Sequence, residues 1–156
     1  MEINGHARKL ASGKISFDKN IFTELDYFDL VVFRGTIQHV DEPFRMIKQS
    51  FTALKPGGYI CFLATPNSDS ILYKLKKNLA MLDFSLNFYI PGAKDLSNAL
   101  INYGFEVLEI QYPYLQTPYC NLLSDHVKFL QNIFSSKFIP HAFWKSSMNV
   151  IARKPL

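Results

Sequence analysis

Two patterns of apolar residues alternate along the chain, continuous runs and repeats of three to four residues, and they predict strands separated by helices. The run from Phe28 to Phe33 is almost continuously apolar, which is typical of a strand buried on both faces. From Glu42 to Leu54 apolar residues recur every three to four positions, which predicts an amphipathic helix with Pro43 in its first turn. The Lys-Pro-Gly-Gly segment at 55–58 is expected to end this helix, and Tyr59 to Ala64 reads as the next buried strand.

The remaining patterns extend the alternation in both directions. Before Phe28 we expect a helix and a short strand, at Ala7 to Ser12 and Lys14 to Phe17. After Ala64 we expect helices and strands at Ser70 to Met81, Asp95 to Tyr103, Phe105 to Gln111, Ser124 to Phe134 and Met148 to Ala152. Gly104 is expected to cap the second of these helices in a left-handed conformation, and Ser124 to cap the last.

Strands joined by helices of this length imply right-handed crossovers and a helix-covered sheet. The predicted fold class is therefore α/β, with a Rossmann-like, open, mostly parallel sheet and flanking helices. In such sheets ligands bind beyond the carboxyl ends of the strands. That rule directs attention to the segments Phe33 to Thr36 and Thr65 to Asn67.

Composition restricts the class of protein further. The chain has 156 residues, of which 48% are hydrophobic and 19% charged, so we expect one folded domain spanning residues 1–156. The net charge of +4 is spread along the chain, which argues against a nucleic-acid partner. The short cluster Lys74, Lys76, Lys77 is interpreted as a solvated helix face, with a phosphate or anionic lipid contact as the alternative.

Location and metal chemistry are constrained by what the sequence lacks. No apolar run approaches the roughly 20 residues that span a membrane, and the N-terminal segment MEINGHARKL has no apolar core of a signal peptide. A cytoplasmic protein without a membrane partner is expected. Cys61 and Cys120 lie far apart without other ligand residues in a metal-binding spacing, so neither a metal site nor a disulfide framework is predicted.

Three motifs in order carry a family resemblance. These are Phe28-Asp29 opening a strand, the triplet Ile37-Gln38-His39 after it, and Leu54-Lys55-Pro56-Gly57-Gly58 before the strand that ends in Thr65-Pro66-Asn67. Together, at this spacing, they resemble the fourth and fifth strands of the class I S-adenosylmethionine-dependent methyltransferase domain. The segment Asn98 to Ile110 and the C-terminal SSMNVIARKP look like the helix before the family's sixth strand and its antiparallel seventh strand.

The resemblance implies a cofactor, S-adenosylmethionine, and a set of residues that bind it. Glu2, with Ile3 beside it, matches the end of the second strand, where an acidic residue holds the ribose hydroxyls. Asn20 and Ile21 match the adenine-contacting position, for which Asp18 is an alternative. The segment Arg34-Gly35-Thr36 matches the place where the chain passes the methionine end of the cofactor, and Gly35 permits close backbone approach.

His39 is the candidate general base. Methyl transfer is an in-line displacement governed by positioning, with proton removal added when the acceptor is a hydroxyl. A neutral imidazole can accept that proton. The alternative is a structural histidine bonded to a nearby backbone group.

Two other groups of residues carry open interpretations. Ser124-Asp125-His126 holds the residue types of a catalytic triad, but neighbours on a helix point in different directions. Aromatic residues late in the chain could line an acceptor pocket or simply pack together, and packing is favoured: Tyr112, Tyr114, Tyr119, Phe143 and Trp144.

The family's first strand and glycine-rich loop have no counterpart before Met1. We therefore expect an N-terminally truncated domain, with an unpaired apolar edge from Leu30 to Phe33.

The predicted function is methyl transfer to a small-molecule hydroxyl or amine, as in the quinone and sugar branch, and no metal is implied. The amino-methylating DNA enzymes carry Asn-Pro-Pro-aromatic where Arg34 to Ile37 stands. The alternatives are a non-catalytic remnant of the domain and, less favoured without a phosphate loop, a dehydrogenase-type nucleotide-binding module.

Overall fold

The computed structural model describes residues 24–80, 82, 85–115, 117–118, 120–132 and 142–156. The expected helix at 7–12 and strand at 14–17 lie outside this part of the chain. Within the described ranges four strands form one sheet: β1 (Phe28–Arg34), β2 (Leu54–Pro66), β3 (Glu106–Gln111) and β4 (Ser147–Arg153). The described residues also form four α-helices: α1 (Pro43–Ala53), α2 (Ile71–Lys76), α3 (Ala93–Asn102) and α4 (Leu122–Gln131). Short 3-10 turns span Ile37–His39 and Phe143–Lys145.

The sheet has the strand order β1-β2-β4-β3, so the last strand lies between β2 and β3. β1 and β2 are parallel, and β4 is antiparallel to both of its neighbours. Three strands thus point the same way, and the predicted α/β fold with an antiparallel last strand is confirmed. The carboxyl ends of β1 and β2 meet at one edge, where Gly35 N donates to Leu63 O at 2.8 Å.

The hydrophobic core lies between one face of the sheet and helices α1 and α3. Side chains from all three are fully buried there, including Ile47, Leu54, Ile60, Phe62, Leu96, Leu100, Met148 and Val150. Phe33 stacks on Phe62 with their ring centroids 5.1 Å apart, which joins the two parallel strands. α1 begins at Pro43 as predicted, since its first turn needs no donor from that residue.

The expectation that β1 is buried on both faces was wrong for the described structure. Phe33 faces the core and is 6% exposed, but Leu30 and Val32, on the other face, are 52% and 47% exposed. Among the described residues β1 pairs only with β2, so it is the edge strand of this sheet. Leu30 and Val32 give this strand an exposed apolar face, whereas the expected absence of a further strand beside it stays a prediction.

The Lys-Pro-Gly-Gly segment also differs from its prediction. Helix α1 already ends at Ala53, and β2 begins at Leu54 and runs through the segment. The segment instead interrupts the register between β1 and β2: Leu54 pairs with Phe28, whereas Tyr59, five residues later, pairs with Leu30. Gly57 has φ +79°, which suits glycine, and its N–H bonds Lys154 O at 2.9 Å.

The later elements are close to their predicted positions, with two corrections. Gly104 has φ +94° directly after α3, as expected of a left-handed cap. Helix α2 is shorter than expected, because Lys77 adopts a left-handed conformation with φ 52° and ends it. The cap of α4 is Asn121 rather than Ser124: the Asn121 side chain accepts from Ser124 N at 3.2 Å.

Candidate functional site

The elbow after β1, which we define as Arg34 to His39, brings several of the predicted residues together. Arg34 is the exposed last residue of β1, and Gly35 follows with φ +57°. A Cβ atom built on Gly35 would meet only Ala64 O, at 3.8 Å, within 4 Å. One side of the backbone at this strand end is therefore open to close approach by a ligand. Close backbone approach is what the sequence analysis expected of Gly35.

The facing end of β2 is irregular and is held from β4. The register between β2 and β4 shifts between Phe62 and Thr65, and Ala64, inside the shift, has φ +50°. Asn149 Oδ1 accepts a hydrogen bond from Ala64 N at 3.0 Å and so supports this bulge. Bulges of this kind re-aim side chains at strand ends. The hydroxyl of Thr65 is fully buried there and has no hydrogen-bond partner in the described structure.

Asn67 ties the end of β2 to two distant segments. Its side chain is buried, and its Nδ2 donates to Lys145 O at 2.9 Å. Its Oδ1 accepts from Asp69 N at 3.0 Å and from Ala93 N, the first residue of α3, at 3.1 Å. The sequence placed Asn67 at a polar strand end but contained no signal for these partners, because they lie 26 and 78 positions away.

His39 sits at the last position of the 3-10 turn and is half-buried. Its Nδ1 lies 2.9 Å from Leu86 O, and its Nε2 lies 3.3 Å from the amide nitrogen of Gln38. A carbonyl oxygen can only accept, so Nδ1 carries a proton. In the neutral ring the lone pair is then on Nε2, which accepts a hydrogen bond from the side-chain amide of Gln38. The bond to a nearby backbone group, which the sequence left as the alternative for this histidine, is present.

The adenosine side of the predicted cofactor site rests on residues near the start of the chain. Glu2, Ile3, Asn20 and Ile21 lie outside the described residues, so their roles stay predictions. Within the described part, the remaining predicted residues, Arg34, Gly35, Thr36 and His39, all lie in the elbow at the carboxyl end of β1.

Three of the aromatic residues late in the chain belong to a second packed cluster, whereas Tyr112 packs against the main core. Phe143 is fully buried against Leu72, Leu79 and Phe129, and it stacks on Trp144 with centroids 4.8 Å apart. Tyr114 packs on the edge of the same cluster. Packing is thus what the structure shows for Tyr114, Phe143 and Trp144, whereas Tyr119 lies outside the described residues.

Asp125 and His126 have separate partners. Tyr114 OH donates to Asp125 Oδ2 at 2.6 Å, and burial together with this bond raises the pKa of Tyr114. His126 Nδ1 lies 2.7 Å from Leu122 O in its own helix. The carboxylate and the imidazole therefore do not form the pair that a catalytic triad needs.

Two cavities among the described residues lie away from the elbow. One of about 590 Å³ is at the opposite edge of the sheet and is lined by Asp26 to Leu30 and Lys55. The other, of about 470 Å³, lies between α1 and α3 and is lined by Phe44, Tyr89, Asp95, Ala99, Asn102 and Tyr103.

Metal ligation and membrane insertion find no support in the described ranges. No group of His, Cys, Asp or Glu suited to a metal ion occurs among those residues. None of the described helices has the length and apolar character needed to cross a bilayer. Cys61 and Cys120 are both free thiols, and burial raises the pKa of Cys61.

The chain is similar to known methyltransferases in sequence and in structure. A family model described as a methyltransferase domain matches residues 2–110. Among solved structures, a SAM-dependent methyltransferase from Archaeoglobus fulgidus superposes with a TM-score of 0.63 at 17% identity, covering 98% of this chain and 74% of that one. One from Methanosarcina mazei gives 0.58 at 20% identity, covering 99% and 80%.

A third similar structure comes from Thermotoga maritima and is described as a SAM-dependent methyltransferase, possible histamine N-methyltransferase. Its TM-score is 0.61 at 18% identity, covering 97% of this chain and 70% of that one. No curated protein matches the sequence. The structural similarities show the fold, and the family model, which covers more than half of the residues, shows the family. The chain belongs to the methyltransferase domain family.

Proposed function

We propose that this methyltransferase domain transfers a methyl group from S-adenosylmethionine to a hydroxyl or amine of a small molecule. The observation that carries the proposal is the elbow after β1. Gly35, with positive φ and an open backbone face, stands at the carboxyl edge where β1 and β2 lie side by side. Open α/β sheets bind their ligands at this edge.

The residues at the elbow fit the methionine end of the cofactor. A side chain at Gly35 would fill the space that its open backbone face offers to a ligand. Arg34 is exposed beside it and could pair with the carboxylate, while Thr36 adds a hydroxyl. Glu2 and Ile3 for the ribose, and Asn20 and Ile21 for the adenine, complete the set by resemblance. When bound, the cofactor supplies an electrophilic methyl group.

His39 is proposed as the group that takes the proton of the acceptor. Its Nδ1 is committed to Leu86 O, so Nε2 is the atom that can accept. The Gln38 amide, 3.3 Å from Nε2, makes a long hydrogen bond that an incoming hydroxyl or amine can replace. Most of the rate enhancement would come from holding the acceptor in line with the methyl group.

A small-molecule acceptor is proposed on the following grounds. One similar structure is described as a possible histamine N-methyltransferase, which would make its acceptor a small amine. The net charge of +4 is dispersed rather than gathered into a nucleic-acid surface. The elbow sequence Arg34 to Ile37 also departs from the Asn-Pro-Pro-aromatic motif of DNA amino-methyltransferases.

The test is binding of S-adenosylhomocysteine by calorimetry, with two glycine variants. Gly35→Ala and Gly57→Ala both place a side chain at positive φ, +57° and +79°, so both strain the backbone by roughly 1–2 kcal/mol. Only Gly35 lies at the elbow. We expect the Gly35→Ala affinity to fall at least tenfold and the Gly57→Ala affinity to stay at the wild-type value.

Two outcomes would overturn the proposal. Absence of binding by the wild-type chain at millimolar ligand would favour the non-catalytic remnant. Equal affinity in the two variants would show that the backbone at Gly35 does not face the cofactor.

A further inference from the structure

Residues Leu86 to Tyr89, which we call the strap, lie across the elbow and are fastened to it in both directions. The Gln38 carbonyl accepts from Phe88 N at 2.9 Å and, more weakly, from Tyr89 N at 3.4 Å. In return the His39 ring meets Leu86 O at 2.9 Å. Gln38 and His39 thus bind main-chain atoms of the strap, which lies almost 50 positions later in the sequence. These contacts do not depend on the side chains of the strap.

This fastening has a chemical consequence for His39. An exposed neutral imidazole can place its proton on either nitrogen, and the hydrogen bond at one nitrogen decides which atom is left to act as a base. Here Leu86 O holds the proton on Nδ1 and turns Nε2 toward the Gln38 amide. The strap carbonyl thus has the role of the third group that orients the base in acyl-transfer enzymes.

The strap also carries polar groups that the fold leaves unpaired. Neither Nδ2 nor Oδ1 of Asn87 has a hydrogen-bond partner in the described structure, although both atoms are buried, and the same holds for the Tyr89 hydroxyl. Gln38 Oε1, beside His39, is buried and unpartnered as well. Buried polar groups are almost always satisfied, and exceptions call for an explanation.

We propose that the strap is the acceptor-positioning element of this enzyme: the Leu86 carbonyl orients His39, and the Asn87 amide binds the polar end of the acceptor. This deepens the proposed function and rests on it. An acceptor that both donates and accepts hydrogen bonds, as a hydroxyl does, matches an amide whose nitrogen and oxygen are both unpaired. A wholly apolar acceptor would leave these groups without partners.

The orientation of His39 is tested by nitrogen-15 NMR of its ring in the ligand-free protein, with a matched pair of variants. Phe88 is 71% exposed, so Phe88→Ala removes little packing and keeps the N–H that bonds Gln38 O. Phe88→Pro removes that N–H and loosens the strap. We expect protonated Nδ1 in the wild type and in Phe88→Ala, and a shift toward protonated Nε2 in Phe88→Pro.

Amide exchange gives a second readout of the same contact. His39→Asn retains a side-chain N–H close to the position of Nδ1 but cannot act as a base, whereas His39→Ala retains neither property. Exchange at Phe88 should be slow in the wild type and in His39→Asn, and at least tenfold faster in His39→Ala. Equal exchange in all three proteins would show that His39 does not fasten the strap.

The role of Asn87 is tested by stability, because a ligand-binding amide and a structural amide respond in opposite ways. Asn87→Leu removes two polar atoms that are buried and unpaired, so the melting temperature should rise. A fall would show that Asn87 serves the fold and would overturn its assignment. Protonated Nε2 in the wild type would overturn the assignment of Leu86. Since S-adenosylhomocysteine binding is measured separately, either failure is distinguishable from failure of the proposed function.

Discussion

Replacement of Asn67 by alanine tests how the carboxyl edge of the sheet is assembled. The side chain is 2% exposed and makes three hydrogen bonds, to Lys145 O, Asp69 N and Ala93 N. Alanine removes all three and offers no replacement. At about 1 kcal/mol for each bond, Asn67→Ala should lower the free energy of unfolding by roughly 3 kcal/mol. The variant also leaves the buried N–H of Ala93 without a partner. The expected loss of stability is therefore larger than for an ordinary surface substitution.

The assay is urea unfolding followed by circular dichroism, with the free energy taken by linear extrapolation. The slope should not change, because the variant alters the stability and not the surface exposed on unfolding. Asn102→Ala is the matched control: Asn102 is exposed in the last turn of α3, so its replacement should stay within about 0.5 kcal/mol of the wild type. An Asn67→Ala protein as stable as the Asn102→Ala protein would refute the reasoning.

Two further substitutions have defined outcomes. Gly104→Ala should lower the melting temperature in calorimetry, with a cost of at least about 1 kcal/mol, because φ is +94° and the new Cβ would lie 3.1 Å from the Phe51 ring; an unchanged melting temperature would contradict this. Tyr114→Phe should destabilise the protein by about 1–3 kcal/mol at pH 7, since it leaves the buried carboxylate of Asp125 without its closest partner. Burial and that bond raise the pKa of Tyr114 above its ordinary value of 10, so the wild type keeps this stability below pH 10 and loses it as the pH rises further. Unfolding measured between pH 7 and 11 should therefore show a smaller alkaline loss in Tyr114→Phe, and equal losses would count against the assignment.

Much of the fold follows from local patterns in the sequence. The three- to four-residue apolar period predicted α1 and α3, and the continuous apolar runs predicted β1 and the second half of β2. Gly104 was identifiable because a glycine directly after a helical pattern commonly ends the helix in a left-handed conformation. The order of these elements, together with Gly35 and His39 after β1, was enough to locate the elbow.

The remaining features depend on partners far away in the sequence. β2 begins at Leu54 rather than after the Lys-Pro-Gly-Gly segment, and there Gly57 and Gly58 bond the main chain of Lys154, which no local pattern indicates. The outer face of β1 was expected to be covered, since an apolar strand carries no information about which neighbours are present. The contact between His39 and Leu86 O was equally invisible, because a carbonyl acceptor is available at every residue.

The position of β4 has a consequence for how the protein is made. A ribosome delivers β2 and β3 long before Ser147–Arg153, yet in the finished sheet β4 separates them. Until those residues leave the exit tunnel, β2 has only β1 beside it and β3 has no strand to pair with among the described elements. Closure of the sheet is therefore a late, long-range event in biosynthesis, and a nascent chain arrested before residue 147 should depend on chaperones to stay out of aggregates.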